Sequence, residues 1–498
     1  MKKIVYAAFA STLLLATSCV DLDQNPKSFI TEEEYIETPK DAASVARSVT
    51  GLYNDLWKEN YGFNCRIMRI NVMADDIIGS PTKSGNVLNY YSDLNPNLFA
   101  NNDDFAGPWA GFYTTIINSN KIINGTPFPT GVENEAKIKE LQAIVGEAYF
   151  VRGLCYFYVA RMFGDAPLIL DNKTVAINQP RVSVAELYEK AIVPSMQQAV
   201  AWLPTTSRTK TSASPTLWAA KACLADIYMT MAGWPLKKGT EYYAKAATET
   251  QEIITGAGLS LTKEYSDLWK EALKGDTNEH LFAMHHSAAQ KVPSQYGKSF
   301  YPTDFYPKAG WADYYGNETF MLKYPEGKRK QWNYMLEWPV AKDKTMNYKQ
   351  SRDGMPCISK YYDYNEGVPG NSAQSNGITP FYRYADVLLM YAEASNLATN
   401  SVNSLALQCL QEVQTRAGVA TITTTKDSKA FDDAVFAERG WEFVAEFKRW
   451  FDLVRREKVS EVKPKEYAAS LFKANNHYYL PIPYVQIDMT GWKNNAGY

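Results

Sequence analysis

The sequence predicts a mainly all-α protein, with helix pairs forming a curved scaffold and a loop-rich irregular subdomain set into it. Three observations predict this. Apolar residues recur at alternating three- and four-residue steps through Lys137–Phe163 and again in several later segments. Small residues crowd the places where those segments would cross. Between about Leu259 and Pro380 the helical period disappears.

The first helix is the clearest. Leu141, Ile144, Ala148, Val151, Cys155, Tyr158 and Met162 lie on one apolar face, Gly164 is a natural terminator, and Pro167 prevents resumption. Ser183-Val184-Ala185-Glu186 is a capping box opening a helix through Leu203, which Pro194 should bend. Ser214-Pro215 reads as an N-cap with Pro in the first turn, followed by Leu217, Ala220, Leu224, Ile227 and Met231. Its partner runs from about Tyr242 to Ile254 and stops at Gly256. A further pair, Tyr384–Leu397 and Ser404–Arg416, is separated by Thr399-Asn400-Ser401 and ended by Gly418. Antiparallel pairs with alanines at the crossings (Ala219, Ala220, Ala222, Ala244, Ala246 and Ala247) resemble tetratricopeptide-type repeats, which stack into curved scaffolds.

Composition narrows the function. The chain has 498 residues, for which about three domains is the soft prior. Lys plus Arg number 52 and Asp plus Glu 54, a balance that argues against nucleic acid as the main partner. A hydrophobic share of 46% excludes bulk disorder, and no apolar run of about 18 residues suggests a transmembrane helix. Only four His are present, so chemistry built on several histidines has little material.

The N-terminus carries an address. Lys2 and Lys3 precede the apolar stretch Ile4–Ala16, as in a secretory signal peptide. Ala16-Thr17-Ser18-Cys19 looks like a bacterial lipoprotein processing site, with cleavage after residue 18 and lipidation of Cys19; the alternative is an ordinary secreted protein with a stray Cys. More than one acyl chain gives stable anchoring, at about 0.8 kcal/mol per buried CH₂. Asp21 and Asp23 resemble an export signal that sends some lipoproteins to the outer cell surface. The remaining cysteines, Cys65, Cys155, Cys223, Cys357 and Cys409, are scattered and odd in number, so at least one thiol is free in a monomer. Cys155, Cys223 and Cys409 fall in helical patterns, where a buried thiol behaves as a small hydrophobe.

Catalytic signals are sparse. Glu438, Glu442, Glu446 and Asp452 crowd Ala434–Glu457 and could supply a glycosidase acid and base. The same segment carries Arg439, Lys448, Arg449, Arg455 and Arg456, and a helix pinned by i,i+3 and i,i+4 ion pairs is the simpler reading. His285-His286 are adjacent, so their side chains do not converge on a metal. GxSxG, Walker A and GxGxxG patterns are absent, and neither metal nor cofactor is expected.

The 34 Tyr, 21 Phe and 12 Trp are the unusual number. Thirteen aromatics fall in the 43 residues from Tyr296 to Trp338, interleaved with Pro, Gly, Asp and Lys. Flat rings can cover the apolar C–H faces of sugars while neighbouring polar groups satisfy the hydroxyls; the alternative is that the rings pack a loop-rich subdomain. Trp109, Tyr296, Trp311, Tyr314 and Trp332 are the candidate ligand contacts, chosen by ring type and loop context. Asp75 and Asn101 are candidate hydrogen-bonding partners.

Four motifs in order then resemble one family. They are Gly146-Glu147-Ala148-Tyr149-Phe150-Val151-Arg152-Gly153 with Tyr156-Phe157-Tyr158 and Phe163-Gly164-Asp165-Ala166-Pro167-Leu168; Arg383-Tyr384-Ala385-Asp386 through Ala392-Glu393-Ala394; Glu438-Arg439 through Glu442-Phe443, Glu446 and Arg449-Trp450-Phe451-Asp452-Leu453-Val454-Arg455; and Leu480-Pro481-Ile482-Pro483 with Asn495-Ala496-Gly497-Tyr498. Phe447 stands where the family pattern carries Gly. Together, behind a lipoprotein signal, they resemble the SusD/RagB family of nutrient-binding outer-membrane lipoproteins. The resemblance implies four tetratricopeptide-like helix pairs and a SusC-like TonB-dependent transporter that the lipoprotein covers as a lid. It also implies oligosaccharide ligands, with peptides as a minority. The expected organisation is a signal peptide at 1–18, an N-terminal helical region at 19–258, and a C-terminal region at 259–498 containing the aromatic insert 259–380. The motifs sit in scaffold helices, so they transfer no binding residue.

Overall fold

Nine helices trace the scaffold in a computed structural model that describes residues 41–57, 66–82, 87–95, 105–174, 176, 178–275, 278–307, 309–361, 376–422 and 427–498. They are α1 (Ala42–Trp57), α2 (Ala106–Gly125), α3 (Glu135–Phe163), α4 (Val193–Trp202), α5 (Leu217–Ala232), α6 (Thr240–Gly256), α7 (Tyr384–Thr399), α8 (Ser404–Ala417) and α9 (Ser428–Glu442). Each of the first eight packs on the next, and α9 packs on α7. Such a serpentine stack buries one continuous core between neighbours. Residues 41–498 form one unit. The expected processing site at Cys19 lies outside the described residues.

The central helix α3 shows why the scaffold holds. All seven apolar positions of its 3,4 pattern are buried. Beyond Phe150 it is buried nearly all round, so its apolar window, long enough to cross a bilayer, is 89% buried within the protein. Glu147 on this helix accepts from Tyr53 (2.6 Å) and Arg208 (2.6 Å), which locks α1 and the α4–α5 loop onto it.

Local signals set most boundaries, with informative exceptions. Ser183 caps the segment leading to α4, accepting from the Glu186 N–H, and a π-turn at Tyr188–Ile192 precedes Pro194. The N-cap of α5 is Thr216, not Ser214, because Ser214 Oγ is engaged inside its loop, 2.8 Å from Ser207 Oγ and accepting from Thr209 N. Ala219, Ala220 and Ala222 of α5 and Ala246 of α6 are buried, while Ala244 faces solvent.

The insert leaves after α6 and returns at α7, yet α6 and α7 pack directly on each other. Two strands frame its base: β2 (His280–His285) pairs antiparallel with β6 (Ile378–Arg383), whose end runs straight into α7. Within the N-terminal region β1 (Ile77–Gly79) pairs with β3 (Tyr314–Gly316) of the insert, and β4 (Glu337–Ala341) with β5 (Lys344–Asn347) forms a hairpin. Ten of the thirteen rings between Tyr296 and Trp338 are buried, so most of that aromatic wealth is core.

The acidic segment differs most from expectation. It is two helices, α9 and α10 (Arg449–Arg455), broken by a turn in which Ala445 and Phe447 have φ of 59° and 66°. That left-handed geometry explains Gly in the family pattern at Phe447, since Gly adopts it without strain. The turn aims Glu446 at Arg383 (2.8 Å) and Lys360 (2.7 Å) instead of Arg449. Asp452–Arg455 is the expected local pair (2.7 Å), but Arg456 reaches Asp432 (2.6 Å) and Arg449 reaches Asp75 (2.6 Å). The carboxylates are therefore pinned by tertiary pairs. At the centre, Arg329, Lys360, Arg383 and Arg416 alternate with Glu279, Glu438, Glu442 and Glu446, nearly all fully buried. Arg329 and Lys360 come from the insert, so this cluster fastens the insert to the scaffold.

Candidate functional site

The insert presents a rigid aromatic platform. Its base is a nest of rings: Tyr296 lies 5.4 Å from Tyr361 and 5.0 Å from Phe447, and Phe300 lies 5.5 Å from Tyr314. Above that nest the segment Gly310–Asp313 is stitched to residues 298–302 by four backbone hydrogen bonds. Gly310 N donates to Pro302 O (2.9 Å), Trp311 N to Lys298 O (2.7 Å), Ala312 N to Tyr301 O (2.8 Å) and Asp313 N to Ser299 O (2.9 Å). The approach is so close that a Cβ at Gly310 would lie 2.2 Å from Tyr301 O. Ala312 is held at φ 52°, a conformation an alanine rarely adopts and one that clusters at ligand clamps.

This stitching turns Trp311 outward. It is 38% exposed, and Tyr306, anchored by its N–H to Pro339 O (2.8 Å), is 43% exposed. The Lys298 ammonium lies 4.9 Å from the Trp311 ring centroid. A third exposed ring, Tyr90, rides on the short helix Val87–Ser92. That helix is tied to the same loop: Asn89 donates to Ser80 O (3.0 Å), and Ser80 N donates to Asp313 O (3.1 Å). The Asp353 carboxylate fixes the arrangement from behind, accepting from Ser80 Oγ (2.7 Å), Thr82 Oγ1 and Tyr315 OH (2.8 Å). Those hydrogen bonds outweigh burial and hold its pKa below the ordinary carboxylate value.

The residues singled out from sequence fall in different places. Trp311 is on the platform surface. Trp332 is half-buried against the core. Tyr314 and Tyr296 are buried beneath the platform, and their rings support it from inside. Trp109 belongs to the scaffold, 5.0 Å from both Tyr113 and Phe163. Asp75 gives both oxygens to Arg449, at 2.6 and 3.0 Å. Asn101 lies outside the described residues. Sequence reasoning passed over Lys298, Tyr306 and Tyr90; the run Tyr306-Pro307-Lys308-Ala309-Gly310-Trp311, with two rings separated by turn formers, was the available signal for Tyr306.

The other chemical candidates are engaged internally. Glu438, Glu442, Glu446 and Asp452 are buried and paired to Arg or Lys. Burial pushes Glu442 upward, but Arg416, Arg383 and Arg329 outweigh it and hold its pKa at about 2. His286 hydrogen-bonds Thr379 Oγ1 (2.8 Å) and His285 bonds Ser212 Oγ (2.9 Å), so the two rings point to different partners.

Comparison with known proteins follows this geometry. The profile described as "SusD family" matches residues 294–498, and one described as "Starch-binding associating with outer membrane" matches residues 28–229. SusD-like protein P2 of Formosa agariphila is 26% identical over 533 aligned positions, covering 98% of this chain and 99% of its own. A SusD homologue from Bacteroides thetaiotaomicron superposes with a TM-score of 0.80 at 18% identity, over 93% of this chain and 98% of its own. Surface glycan-binding protein A from the same organism, in complex with laminarihexaose, gives 0.72 at 21% identity, over 92% and 100%. The two profiles match either side of the insert's entry, the relatives align from end to end, and the helix stack is shared, so the chain belongs to the SusD/RagB family.

Proposed function

We propose that this chain is a cell-surface glycan receptor: lipidated at Cys19, anchored in the outer membrane, and passing captured oligosaccharides to a SusC-like TonB-dependent transporter without cutting them. The observation that carries the reading is the Trp311 platform, an exposed ring on a loop locked by four backbone hydrogen bonds. An aromatic side chain fixed before the ligand arrives adds contact area with little ordering cost. In this reading Trp311, Tyr306 and Tyr90 touch the sugar, Trp332 stays a candidate contact, and Tyr314 and Tyr296 hold the platform. Asp75 acts through Arg449, Trp109 through the scaffold, and Asn101 is a candidate partner for the sugar hydroxyls. The relative bound to laminarihexaose supports the ligand class. The absence of hydrolysis is supported by the fate of the carboxylates, which are buried and neutralised by cations.

Each stacked ring contributes about 0.5–1.5 kcal/mol, by analogy with aromatic pairs. Two or three give weak binding, which many receptors on one surface strengthen by multivalency. The test is calorimetric titration of the soluble chain starting after Cys19 with a panel of glycans, laminarihexaose included, and mixed peptides. Saturable heat with a glycan, no product, and a loss of about tenfold for Trp311→Ala are expected. Heat with peptides only would move the reading to a peptide receptor, and release of product would make the chain an enzyme. Delivery is tested separately, by co-purification of the membrane-anchored chain with its transporter.

A further inference from the structure

Lys298 gives the platform a charge. Its backbone is fixed to Trp311 through the 2.7 Å hydrogen bond, and its ammonium sits over the Trp311 ring at 4.9 Å. Five described lysines elsewhere in the insert have acidic partners: Lys270 pairs with Asp267, Lys328 with Glu264, Lys330 with Glu326, Lys349 with Glu318 and Lys360 with Glu446. Among the described residues, none lies within ion-pair distance of Lys298. Its one side-chain neighbour of note is the aromatic ring, and the residue is half-exposed. Asp313, Asp304 and Asp353 are the acids of the neighbouring loops, and none of them pairs with Lys298: Asp304 accepts from the Trp338 indole N–H (3.1 Å), and Asp353 is engaged by Ser80, Thr82, Tyr315 and Arg352.

A ring that stacks on a sugar while an unneutralised ammonium stands beside it discriminates between sugars. A neutral ring gains only the stacking. A ring bearing a carboxylate or sulfate ester gains the ion pair as well, the flexible lysine stem carrying the ammonium from the indole face to the sugar's anionic group. We infer that the Trp311–Lys298 platform selects anionic glycans, those carrying uronate or sulfate groups, over their neutral counterparts. The inference rests on the glycan-receptor reading and narrows it. An exposed ion pair of this kind is worth about two- to fivefold in affinity, and salt screens it.

The experiment uses two matched pairs of probes with the whole soluble chain: oligogalacturonate against the same oligomer after carboxyl reduction, and a sulfated galactan oligomer against its desulfated form. The expected result is an anionic member binding about two- to fivefold more tightly than its neutral partner, with the difference shrinking as NaCl rises from about 50 to about 500 mM. Lys298→Gln should erase the preference, Lys298→Arg should keep it, and Trp311→Ala should weaken both members alike. Preference in the first pair alone assigns the carboxylate as the recognised group, and in the second alone the sulfate ester. Equal affinity within both pairs, or a preference that survives Lys298→Gln, would overturn the inference and leave the glycan receptor standing. No binding of any of the four would overturn the inference, and the glycan receptor falls with it only if the wider panel, laminarihexaose included, is silent as well.

Discussion

Replacing Arg383 by Met should lower the thermal midpoint by about 3–5 °C, and the number follows from the buried charge count. Arg383 is fully buried and donates to Glu446 (2.8 and 3.0 Å), Glu279 (2.7 Å) and Glu442 (2.9 Å). Four cations and four carboxylates balance in this cluster. Methionine fills much of the volume but leaves one carboxylate uncompensated in a dry interior. Breaking a buried pair on one side costs about 3–5 kcal/mol. The unfolding entropy of about 2.1 cal/mol/K per residue, over the about 460 residues of Asp41–Tyr498, is about 1 kcal/mol/K, which converts that loss to the stated shift. Differential scanning calorimetry at pH 7.5 reads it directly. The double variant Arg383→Met with Glu446→Gln restores neutrality, with Lys360 still donating to the Val444 carbonyl (2.9 Å), and should recover at least half of the loss. A single variant within 1 °C of the parent, or a double variant as unstable as the sum of its singles, would refute the reasoning.

Other perturbations test other parts of the chain. Burial, with help from neighbouring Asp75, raises the Asp76 pKa to about 6 despite the hydrogen bond it accepts from Ala445 N. Its folded value exceeds its ordinary one, so the ionised form weakens the fold above pH 6 and the penalty fades as pH falls toward 3.8. Asp76→Asn should therefore raise stability in urea titrations at pH 7.5, by up to about 3 kcal/mol, and give no gain at pH 4. Burial pushes the Cys223 and Cys409 thiols up to about 12, and those of Cys155 and Cys357 well up. In the soluble chain starting after Cys19, with Cys65→Ser, an aromatic disulfide reagent should find no thiol in the native protein and four after unfolding. Gly310→Ala drives a Cβ into Tyr301 O, so it should displace the Trp311 loop and cut glycan affinity by about tenfold, with a midpoint shift under 2 °C because the loop lies outside the scaffold core.

What the sequence disclosed and what it hid have the same physical origin. The scaffold helices were legible because each buries a stripe at helical spacing, and α3 carries that stripe at seven positions, all of them buried. The start of α5 shifted because Ser214 spent its hydroxyl on Ser207 inside the loop and left the cap to Thr216. The acidic segment failed for a related reason. Its spacing suits local ion pairs, but Glu446 gains more from Arg383 and Lys360, residues 63 and 86 positions away in the chain. Ring type alone could not separate Trp311 from Tyr314, three residues on. One is turned out by backbone hydrogen bonds and the other inward by its pairing with Gly79, and neither force leaves a signature in side-chain identity.

That difference explains how such a chain can keep its scaffold while its ligand loops change. The insert departs between α6 and α7, which pack on each other without it, so the helix stack does not depend on the insert's length. The insert is fastened back through Arg329 and Lys360 to carboxylates that lie in the motif-bearing segment after α8. The recognisable motifs therefore encode the fastening. The platform above it is held by main-chain hydrogen bonds between Gly310–Asp313 and residues 298–302, which most side chains could satisfy. Geometry constrains Gly310, where a Cβ has no room, and Ala312, held at φ 52°. Trp311 and Lys298 are then free choices at rigid positions, and choices of that kind set which sugar a receptor prefers without altering how it folds.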